Sequence, residues 1–576
     1  MKKTLVQGFV DRIDSIYEKQ LHKDTSLIQD VCFRIAFGLF GFVVVLFVLA
    51  SIGFIAHIEI NAMYFYVALL LAFAPLFYKN SHKILTFTIF VGLIFVALLM
   101  ASLYYDASWD GRAYHQIGIY YLANGWNPVY QKMAELTNLE VFLSHEIWVE
   151  HYLKFAEITA ACIYKVFGFI EIGKAVNYIL AFACFLYGVQ VLLKLPHITM
   201  LRAFLLAFLL VFSPVVFVQI NTYYIDGLLA CALCMVFLGI MDLEIQPSGA
   251  KYALFVFALI ATASIKLTGV AYVGFIGLAY LGYKIVCFGL KDSKSLIVSG
   301  LASAFIIALC NSNPFFTNIA EGKHPGYPLL GKNKIDIITG QQPQTFKDFT
   351  RFEKMFYSLF SKTYNGRDKT EFKVPFVKSA SGGIAIDTRV AGFGHYFGGI
   401  IILCALFVLI HYKDLRVRPK VFLALALVLF SVFINPESWW ARYAPQLWLV
   451  PFVLLIASYG LGGDYHKPFR SLFRILTFVF VFMSVLDTAR HAYKTSARYT
   501  KHIEQIFQGH LESVYFTPKP KMERSFIIKI KERKLDVQIL SDEQYQSLLQ
   551  SGRVFTPIPG LLMPEGYWDM ESESKE

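Results

Sequence analysis

Thirteen runs of mainly apolar residues divide this chain, and few folds accommodate so many. The runs lie near 35-56, 62-78, 84-104, 176-193, 203-220, 225-241, 252-265, 267-283, 295-310, 397-411, 421-434, 445-461 and 475-488. A helix needs about 20 apolar residues to cross a bilayer, so the shorter runs need polar-flanked ends to complete a span. Of the 576 residues, 56% are hydrophobic and only 16% charged, which excludes a soluble globular protein. The sequence therefore predicts an all-α polytopic membrane protein.

Lysine and arginine in short loops predict the orientation, because such residues stay on the cytoplasmic side. These loops carry Lys79 and Lys83; Lys194 and Arg202; Lys284, Lys291 and Lys294; Lys413, Arg416, Arg418 and Lys420; and Lys467, Arg470 and Arg474. If segment 1-34 is a cytoplasmic helix, the loops alternate correctly only when 152-170 is a membrane-edge helix or re-entrant segment and not a full span. The loop 311-396 and the tail 489-576 then lie outside.

Four polar or aromatic segments fall on the same predicted outer side. They are the first external loop 105-175, which contains "SWDGRAYHQ"; the turn "NTYYIDG" (221-227); the loop 311-396; and "NPESWWARYAP" (435-445). Because segments so distant in sequence share one face and each carries charges or rings at the membrane edge, we expect them to form one composite site.

Short motifs mark these segments: Asp110 in "WDGRAYHQ", Asp226 in "YYIDG", Arg442, Tyr443 and Pro445 in "ARYAP", and "NPFFTNIAEGKHPGYPL" (313-329). Together they resemble the GT-C superfamily of integral-membrane glycosyltransferases, which includes the protein O-mannosyltransferases and the bacterial aminoarabinose transferase of lipid A. The chain departs from the usual pattern in two ways. Two apolar runs, not one, precede the run that leads into the Asp110 loop, and Asp106 and Asp110 are spaced D-x-x-x-D where the family has adjacent acids.

The resemblance implies a GT-C-like bundle that moves a sugar from a polyprenyl-phosphate carrier to an acceptor hydroxyl. Such a reaction needs a base for the hydroxyl, cations for the departing phosphate and a groove for the lipid. Asp110 is the first candidate for the base and Asp106 the second. The alternative for Asp110 is an N-cap, since the spacing from Tyr114 to Tyr121, closed by Gly125, predicts a short amphipathic helix on the membrane surface. The alternative for Asp106 is a solvated loop carboxylate.

Arg442 and Lys266, with Tyr443, are the candidates for binding the donor phosphate. A guanidinium suits bidentate phosphate binding, and Lys266 stands between two apolar runs with no room for a loop. For Arg442, the alternative is an arginine anchored among the interfacial rings of Trp439, Trp440 and Tyr443. For Lys266, it is a lysine whose ammonium reaches water from a tight hairpin. Asp226 is predicted to pair with Lys266 or Arg442 or to contact the acceptor sugar; alternatively, it is a carboxylate favoured by the helix N-terminus.

Substrate contacts are predicted for Asp226, Tyr114, His115, Tyr224 and His395. Aromatic rings also gather at lipid interfaces without any ligand, so this remains an alternative for most of them. The histidines lack a compact metal-ligand spacing, and no metal or other cofactor is predicted, although some members of the wider superfamily use a divalent ion.

The soluble segments carry weaker patterns. The loop 311-396 is rich in Gly, Pro, Asn and Lys, which predicts a semi-ordered lid over the site. In the tail, "RSFIIKIKERKLDVQIL" alternates like one or two strands and "SDEQYQSLLQSG" has a capping box of Ser541 and Gln544, so a small C-terminal α/β appendage is predicted. The domain plan is a cytoplasmic helix (1-34), a GT-C-like transmembrane domain (35-488) and a soluble, external tail (489-576).

The predicted function is a membrane glycosyltransferase in a bacterial inner membrane, with its site facing the periplasm or exterior. Its predicted partners are a polyprenyl-phosphate sugar donor, a glycan, lipid or protein acceptor and the bilayer, with no nucleic acid. The alternative is a transporter or flippase of a lipid-linked glycan, which would predict charges and broken helices near the bilayer midplane and an internal repeat. A non-catalytic scaffold is a third possibility, in which Asp110 and Arg442 would be replaceable.

Overall fold

The computed structural model describes residues 2–136, 145–364, 366–378, 384–461, 467–508, 513–516, 524–534, 536–539, 541–550, 554–558 and 561–564. Within these residues the chain forms one large bundle of helices, and a small four-stranded sheet near the C-terminal end follows it.

Six helices of the described chain are long and apolar enough to cross a membrane. They are Thr25–Ile55, Lys83–Ser102, Ile170–Leu192, Asp226–Ile245, Leu267–Asp292 and Lys467–Phe507. A seventh span results if Lys294–Cys310 and Ser312–Ala320, which are bent by 64°, count as one. Six shorter apolar helices accompany them: Ala62–Phe77, Met200–Val211, Gly249–Ile265, Phe397–Ile410, Pro419–Ile434 and Pro445–Gly460. The all-α polytopic class is thus confirmed, whereas the count of thirteen spans stays a prediction.

The helix predicted over 203-220 is interrupted. The structure ends one helix at Val211 and begins another, Pro214–Gln219. Pro214 fits the first turn of a helix, where its missing N–H is not needed, and Ser213 Oγ accepts a hydrogen bond from Val216 N at 3.4 Å. A serine cap followed by proline therefore starts a new helix inside an apolar run.

The turn at Lys266 is as short as the sequence predicts. Lys266 alone separates the helices Gly249–Ile265 and Leu267–Asp292. A Cβ added at Gly269 would lie 2.0 Å from Thr262 O, so only glycine allows the two helices to approach so closely.

The remaining helices are short or lie outside the apolar runs. They are Gln116–Ala123, Glu146–His151, Phe155–Phe167, Pro214–Gln219, Arg351–Phe360, Tyr412–Arg416, Arg524–Glu532 and Asp542–Gln550. The helix Lys2–Ile55 extends the first span towards the N-terminus, and Ile170–Leu192 combines a 3-10 turn, Ile170–Lys174, with the helix Ala175–Leu192. Further turns are Gly111–His115, Met133–Glu135, Thr339–Gln341, Gln344–Phe346, Ala441–Tyr443 and Pro445–Trp448.

The segment 152-170 contains a helix of only 13 residues, Phe155–Phe167, which agrees with the prediction that it is not a full span. It packs on the helix Gln116–Ala123, and Ile117, Ile119 and Leu122 of the latter are at most 1% exposed. Neighbouring helices therefore cover this helix, and its place at the membrane surface stays a prediction.

The bundle carries its charges at two opposite ends. The helix Asp226–Ile245 has no charged residue between Asp226 and Asp242, a stretch of about 24 Å at the usual helical rise. At the far end, Asp242 pairs with Lys194 (2.7 Å) and Lys251 (3.1 Å), and Glu244 pairs with Lys284 (3.0 Å) and Lys420 (2.9 Å). Lysines of three loops predicted to be cytoplasmic thus meet at one end, and the candidate site occupies the other.

Large apolar side chains cover the outside of the bundle. Leu70, Val286 and Phe305 are 67%, 85% and 69% exposed. Lipid tails are as apolar as these side chains, so exposing them to lipid costs little, whereas exposing them to water is unfavourable. This surface therefore suits a bilayer.

The loop 311-396 is more regular than a semi-ordered lid. Its described part contains the helix Arg351–Phe360, which starts with a capping box of Thr350 and Glu353, and two isolated β-bridges, Ser361 with Phe372 and Tyr364 with Val390.

The tail follows a helix that runs without interruption from Lys467 to Gln508, so the predicted boundary at 488/489 lies inside it. Four strands, Ser513–Phe516, Asp536–Ile539, Val554–Ile558 and Leu561–Pro564, form a mixed sheet in the order second, first, fourth, third. The predicted α/β appendage is present, and Ser541 and Gln544 form the predicted capping box. The strand predicted at "RSFIIKIKE" is wrong, because this stretch is the helix Arg524–Glu532.

Candidate active site

Asp110 has helical backbone angles and directly precedes the turn Gly111–His115, after the irregular segment that follows the helix Lys83–Ser102. Ser108 N donates to Asp106 Oδ1 (2.8 Å), and Ser108 Oγ accepts from Gly111 N (3.2 Å). A Cβ at Gly111 would lie 1.8 Å from Asp106 Oδ2, so the turn requires glycine. The Asp110 carboxylate makes no capping hydrogen bond to the turn Gly111–His115 that follows it. The N-cap alternative is therefore wrong.

Asp226 and Lys266 form a partly buried ion pair at the same end of the bundle. Asp226 is the first residue of its helix and its side chain is 1% exposed. Lys266 Nζ donates to Asp226 Oδ1 at 2.6 Å. The predicted pairing of Asp226 with Lys266 is thus present in the structure.

Arg442 connects three carboxylates from three distant segments. Its Nη1 donates to Asp110 Oδ2 at 3.1 Å and to Asp226 Oδ2 at 3.4 Å, and its Nε lies 3.1 Å from Asp387 Oδ1. Burial by itself would lower the pKa of Arg442, but Asp387 and the other neighbours hold this pKa well above its usual value. The centre of the site is therefore a permanent, buried cation.

Asp387 is a candidate that the sequence motifs do not single out. Arg389 Nε donates to Asp387 Oδ2 (2.6 Å), and Trp440 Nε1 donates to the Asp387 carbonyl oxygen (2.6 Å). Ala441 N donates to Thr388 O at 3.2 Å, which fastens the long loop to the segment that carries Arg442. The signal in the sequence is weak: an acid and an arginine two residues apart in a loop predicted to cover the site.

Aromatic rings surround the cations. Arg442 Cζ lies 4.8 Å from the ring centroids of Tyr224 and Trp440 and 5.2 Å from that of Tyr443, and Lys266 Nζ lies 4.1 Å from the Tyr443 ring. Such contacts attract a cation to the face of the ring, more strongly when water is excluded. The anchoring alternative for Arg442 explains these rings but not the three carboxylates.

Tyr114 and Tyr224 stay protonated in this environment. Burial, and then the nearby Asp110 carboxylate, raise the pKa of both phenols well above its usual value. Burial also raises the pKa of Tyr152, whose neighbours include Tyr443 and Asp110. Three phenols therefore remain hydrogen-bond donors beside Asp110.

Asp106 belongs to a second network. Its Oδ2 accepts from Gln116 Nε2 (3.1 Å) and from Tyr223 N (3.2 Å), and its backbone N donates to Glu171 Oε2 (3.1 Å). Burial and the Glu171 charge raise the pKa of Asp106. Asp106 is fully buried, so the solvated-carboxylate alternative is wrong, while its role as a second base stays a prediction.

The two predicted histidines make other contacts. His115 Nδ1 lies 2.5 Å from Glu157 Oε1. His395 Nδ1 lies 3.2 Å from Thr363 Oγ1, Lys373 Nζ donates to its carbonyl oxygen, and burial lowers the pKa of His395 to about 4. Their roles as substrate contacts stay predictions.

The motif that starts at Asn313 holds the first external loop. Asn313 Oδ1 accepts from Lys154 Nζ at 2.5 Å, and Asn318 Oδ1 lies 2.6 Å from His151 Nδ1. Asn318 Nδ2 donates to Pro325 O (3.1 Å), which closes the motif on itself. Burial lowers the pKa of Lys154 to about 7. This motif connects two of the four segments that the sequence places on one face.

Among the residues that the structure describes, no group of three or more His, Cys, Asp or Glu is arranged to hold a metal ion. The carboxylates of Asp110, Asp226 and Asp387 are placed around a guanidinium instead.

No protein-family model and no curated protein matches this chain. Among solved structures, it is similar to ArnT from Cupriavidus metallidurans in the apo state, with a TM-score of 0.42 and 12% identity over 82% of this chain and 96% of that chain. It is also similar to ArnT from the same organism bound to undecaprenyl phosphate, with a TM-score of 0.37 and 12% identity over 84% and 98%.

Proposed function

We propose that this protein is a membrane glycosyltransferase that moves a sugar from a polyprenyl-phosphate carrier to an acceptor hydroxyl. The observation that carries the proposal is the surroundings of Arg442. The buried Arg442 guanidinium pairs with Asp226 and with the partly exposed Asp110. Lys266 lies 2.6 Å from the same Asp226, and all four residues lie where several apolar helices end. A phosphate with a lipid tail is the substrate class that fits cations at the end of a lipid-facing bundle.

The donor phosphate is bound by Arg442 and Lys266. Asp226 is almost fully enclosed and lies 2.6 Å from Lys266, so it stays in place and balances these cations. Asp110 and Asp387 keep 16% and 15% of their side chains exposed. Because they are the accessible partners of Arg442, the arriving phosphate displaces one of them from the guanidinium.

Asp110 is the base. Once the phosphate takes its place on Arg442, the Asp110 carboxylate is available to the acceptor. The acceptor oxygen forms a bond to the anomeric carbon and its proton passes to Asp110. The bond from that carbon to the phosphate oxygen breaks, and its electron pair leaves with the polyprenyl phosphate. Arg442 and Lys266 stabilise the added negative charge. The protonated phenols of Tyr114 and Tyr224 are placed to donate hydrogen bonds to the sugar.

A flippase or transporter is supported less well. It needs polar groups along a path across the bilayer. The helix Asp226–Ile245 instead has charges near its two ends and none between Asp226 and Asp242.

We propose that the site faces the exterior of a bacterial inner membrane. The lysines gathered at the opposite end support this orientation through the positive-inside rule. The tail lies on the same side as the Asp110 loop, since Lys529 of the tail donates to Gln116 of that loop at 2.7 Å.

Cysteine labelling tests the orientation. Cys287 is the exposed native cysteine and the other seven are buried, so Cys287→Ser leaves a protein with little labelling of its own. A cysteine at the exposed Asp348 should react with a membrane-impermeant reagent in intact cells, and one at Val417, 78% exposed at the other end, should not. The reverse pattern would place the site in the cytoplasm.

Donor binding tests the assignment of the cations. Arg442→Ala and Lys266→Ala should each weaken binding of polyprenyl phosphate about 10²-fold, the upper range for a hydrogen bond to a charged group. Arg442→Lys should recover only part, because an ammonium cannot reproduce the bidentate fork. The measurement is a titration of purified protein in detergent, with thermal unfolding to show that each variant is folded.

The matched control is Arg416→Ala, an exposed arginine at the opposite end, which should leave binding unchanged. Unaltered affinity in folded Arg442→Ala and Lys266→Ala variants would mean that these residues serve only to hold the helices together.

A further inference from the structure

The C-terminal segment packs against the polypeptide that carries Asp110. The helix Arg524–Glu532 contacts the turn Gly111–His115 and the helix Gln116–Ala123. Its apolar residues are at most 1% exposed: Phe526, Ile527, Ile528 and Ile530. The burial of four large side chains shows that this helix is a docked part of the fold.

Lys529 is the polar centre of this contact. Its side chain is 2% exposed, and its Nζ donates to Gln116 Oε1 at 2.7 Å and lies 3.2 Å from Glu171 Oε1. Lys174 Nζ lies 2.7 Å from Glu171 Oε2. A buried ammonium is costly unless it is paired, so these contacts define where Lys529 must lie.

Both partners of Lys529 in turn hold Asp106. Gln116 Nε2 donates to Asp106 Oδ2 (3.1 Å), and Glu171 Oε2 accepts from Asp106 N (3.1 Å). The Asp106 carboxylate accepts from Ser108 N and from Tyr223 N. These backbone groups belong to the two segments that place Asp110 and Tyr224 beside Arg442.

We infer that Lys529 is a positioning residue: the tail fixes the geometry of the site through Gln116, Glu171 and Asp106. The inference rests on the proposed function, because it assigns Lys529 to the geometry of that same reaction. Lys529 touches no reacting atom. It sets the positions of Ser108 and Tyr223, and a shift of about 1 Å in a catalytic group is enough to reduce turnover by about 10²-fold.

The first test is Lys529→Met, with Lys534→Met as the control. Lys534 is exposed at the end of the same segment. Lys529→Met should lower kcat for transfer about tenfold or more, whereas KM for the donor should change by less than about threefold because Arg442 and Lys266 are intact. Lys534→Met should behave like the wild type. An unchanged kcat in Lys529→Met would overturn the inference.

A double variant separates positioning from stability. Lys529→Met leaves Glu171 with one lysine fewer, and an uncompensated buried charge destabilises the fold. Glu171→Gln with Lys529→Met removes one charge of each sign and leaves Lys174 to balance Asp106, so the unfolding temperature should rise again towards that of the wild type. If Lys529 positions the loop, kcat should stay low in the double variant, because Gln116 still lacks its lysine. Recovery of kcat together with stability would show that Lys529 only balances charge.

Hydrogen exchange gives a result that does not depend on turnover. Without substrate, amides between 106 and 116 should exchange faster in Lys529→Met and in the double variant than in the wild type and Lys534→Met. If wild-type protein transfers no sugar but this difference is seen, the proposed function fails and the coupling of tail to loop stands. Identical exchange in all four proteins would overturn the coupling whatever the activity.

Discussion

Asp106 and Asp110 are four residues apart, yet they belong to two buried charge clusters of opposite character. The Asp106 cluster is closed: Asp106, Glu171 and Lys174 are at most 1% exposed. The Arg442 cluster is open on one side, where Asp110 and Asp387 keep 16% and 15% of their side chains accessible.

This difference indicates that the Asp106 cluster has a structural role and that the Arg442 cluster is the candidate active site. In the closed cluster the Asp106 carboxylate accepts three hydrogen bonds, from Ser108 N, Gln116 Nε2 and Tyr223 N, so a substrate would have to break them. In the open cluster Asp110 has an ion pair with Arg442 at 3.1 Å and no capping bond. An incoming phosphate can replace Asp110 on Arg442, which leaves the Asp110 carboxylate available for a reaction. Asp106 instead holds backbone N–H groups in place, which suits a structural role.

The sharpest test of this comparison is Asp110→Asn. The substitution keeps the size of the side chain, and no helix cap is lost. It removes the carboxylate that accepts the proton, so transfer from a polyprenyl-phosphate sugar should fall about 10²-fold or more while the unfolding temperature stays near that of the wild type. The measurement is sugar transfer by purified protein together with thermal unfolding.

Asp348→Asn is the matched control for Asp110→Asn, because Asp348 is an exposed acid of the long loop. It should retain full activity. A fully active, stable Asp110→Asn variant would deprive Asp110 of a catalytic role and direct attention to Asp387.

Asp106→Asn should reduce stability more than activity, the reverse of Asp110→Asn. An amide cannot accept from all three donors that now point at the carboxylate, because one of its atoms is itself a donor. The free energy of unfolding should fall by about 2 kcal/mol, the cost of leaving a buried donor unsatisfied. Activity should fall less than in Asp110→Asn, and only with the loss of order in the loop. A stable but inactive Asp106→Asn variant would reverse the ranking of the two acids.

The features that the sequence predicts well are those that the bilayer imposes locally. Apolar runs become helices because a helix satisfies its backbone hydrogen bonds within its own segment in lipid. The single-residue break at Lys266 follows because no residues are left for a loop. The shared face also follows from the alternation of basic loops, and it brings Asp110, Asp226, Lys266 and Arg442 together.

The features that the sequence misses depend on contacts between distant segments. Only the nearby Arg389 hints at a role for Asp387, and its contact with Arg442 exists only after the long loop folds back on Trp440. The stretch "RSFIIKIKE" alternates like a strand, yet it is a helix in which Ile528, Lys529 and Ile530 are all buried. Tertiary contacts with the first external loop override the local pattern there.

The smallest expected effect is a pH dependence of the packing of the tail helix, next to the closed cluster. Glu532, at the end of the docked tail helix, accepts from Ile170 N at 2.8 Å, and burial raises its pKa to about 7. The charged groups facing it are Lys529 and Glu171, with the Tyr164 phenol beside them. Between the ordinary glutamate pKa and about pH 7, Glu532 is therefore protonated in the docked tail and ionised in an undocked tail. Docking is therefore favoured at low pH and weakens as pH rises from the ordinary glutamate range to about 7, beyond which it changes no further.

Hydrogen exchange of 525–533 should accordingly be faster at about pH 8 than at about pH 6 in the wild type, after correction for the intrinsic pH dependence of exchange. Glu532→Gln cannot ionise and should show equal protection at both values. The orientation of Arg442 and its carboxylates should not change over this range, since the Arg442 pKa lies far above it. If Glu532→Gln shows the same pH dependence as the wild type, another buried group titrates, and Asp106 of the closed cluster is the first to test because burial also raises its pKa.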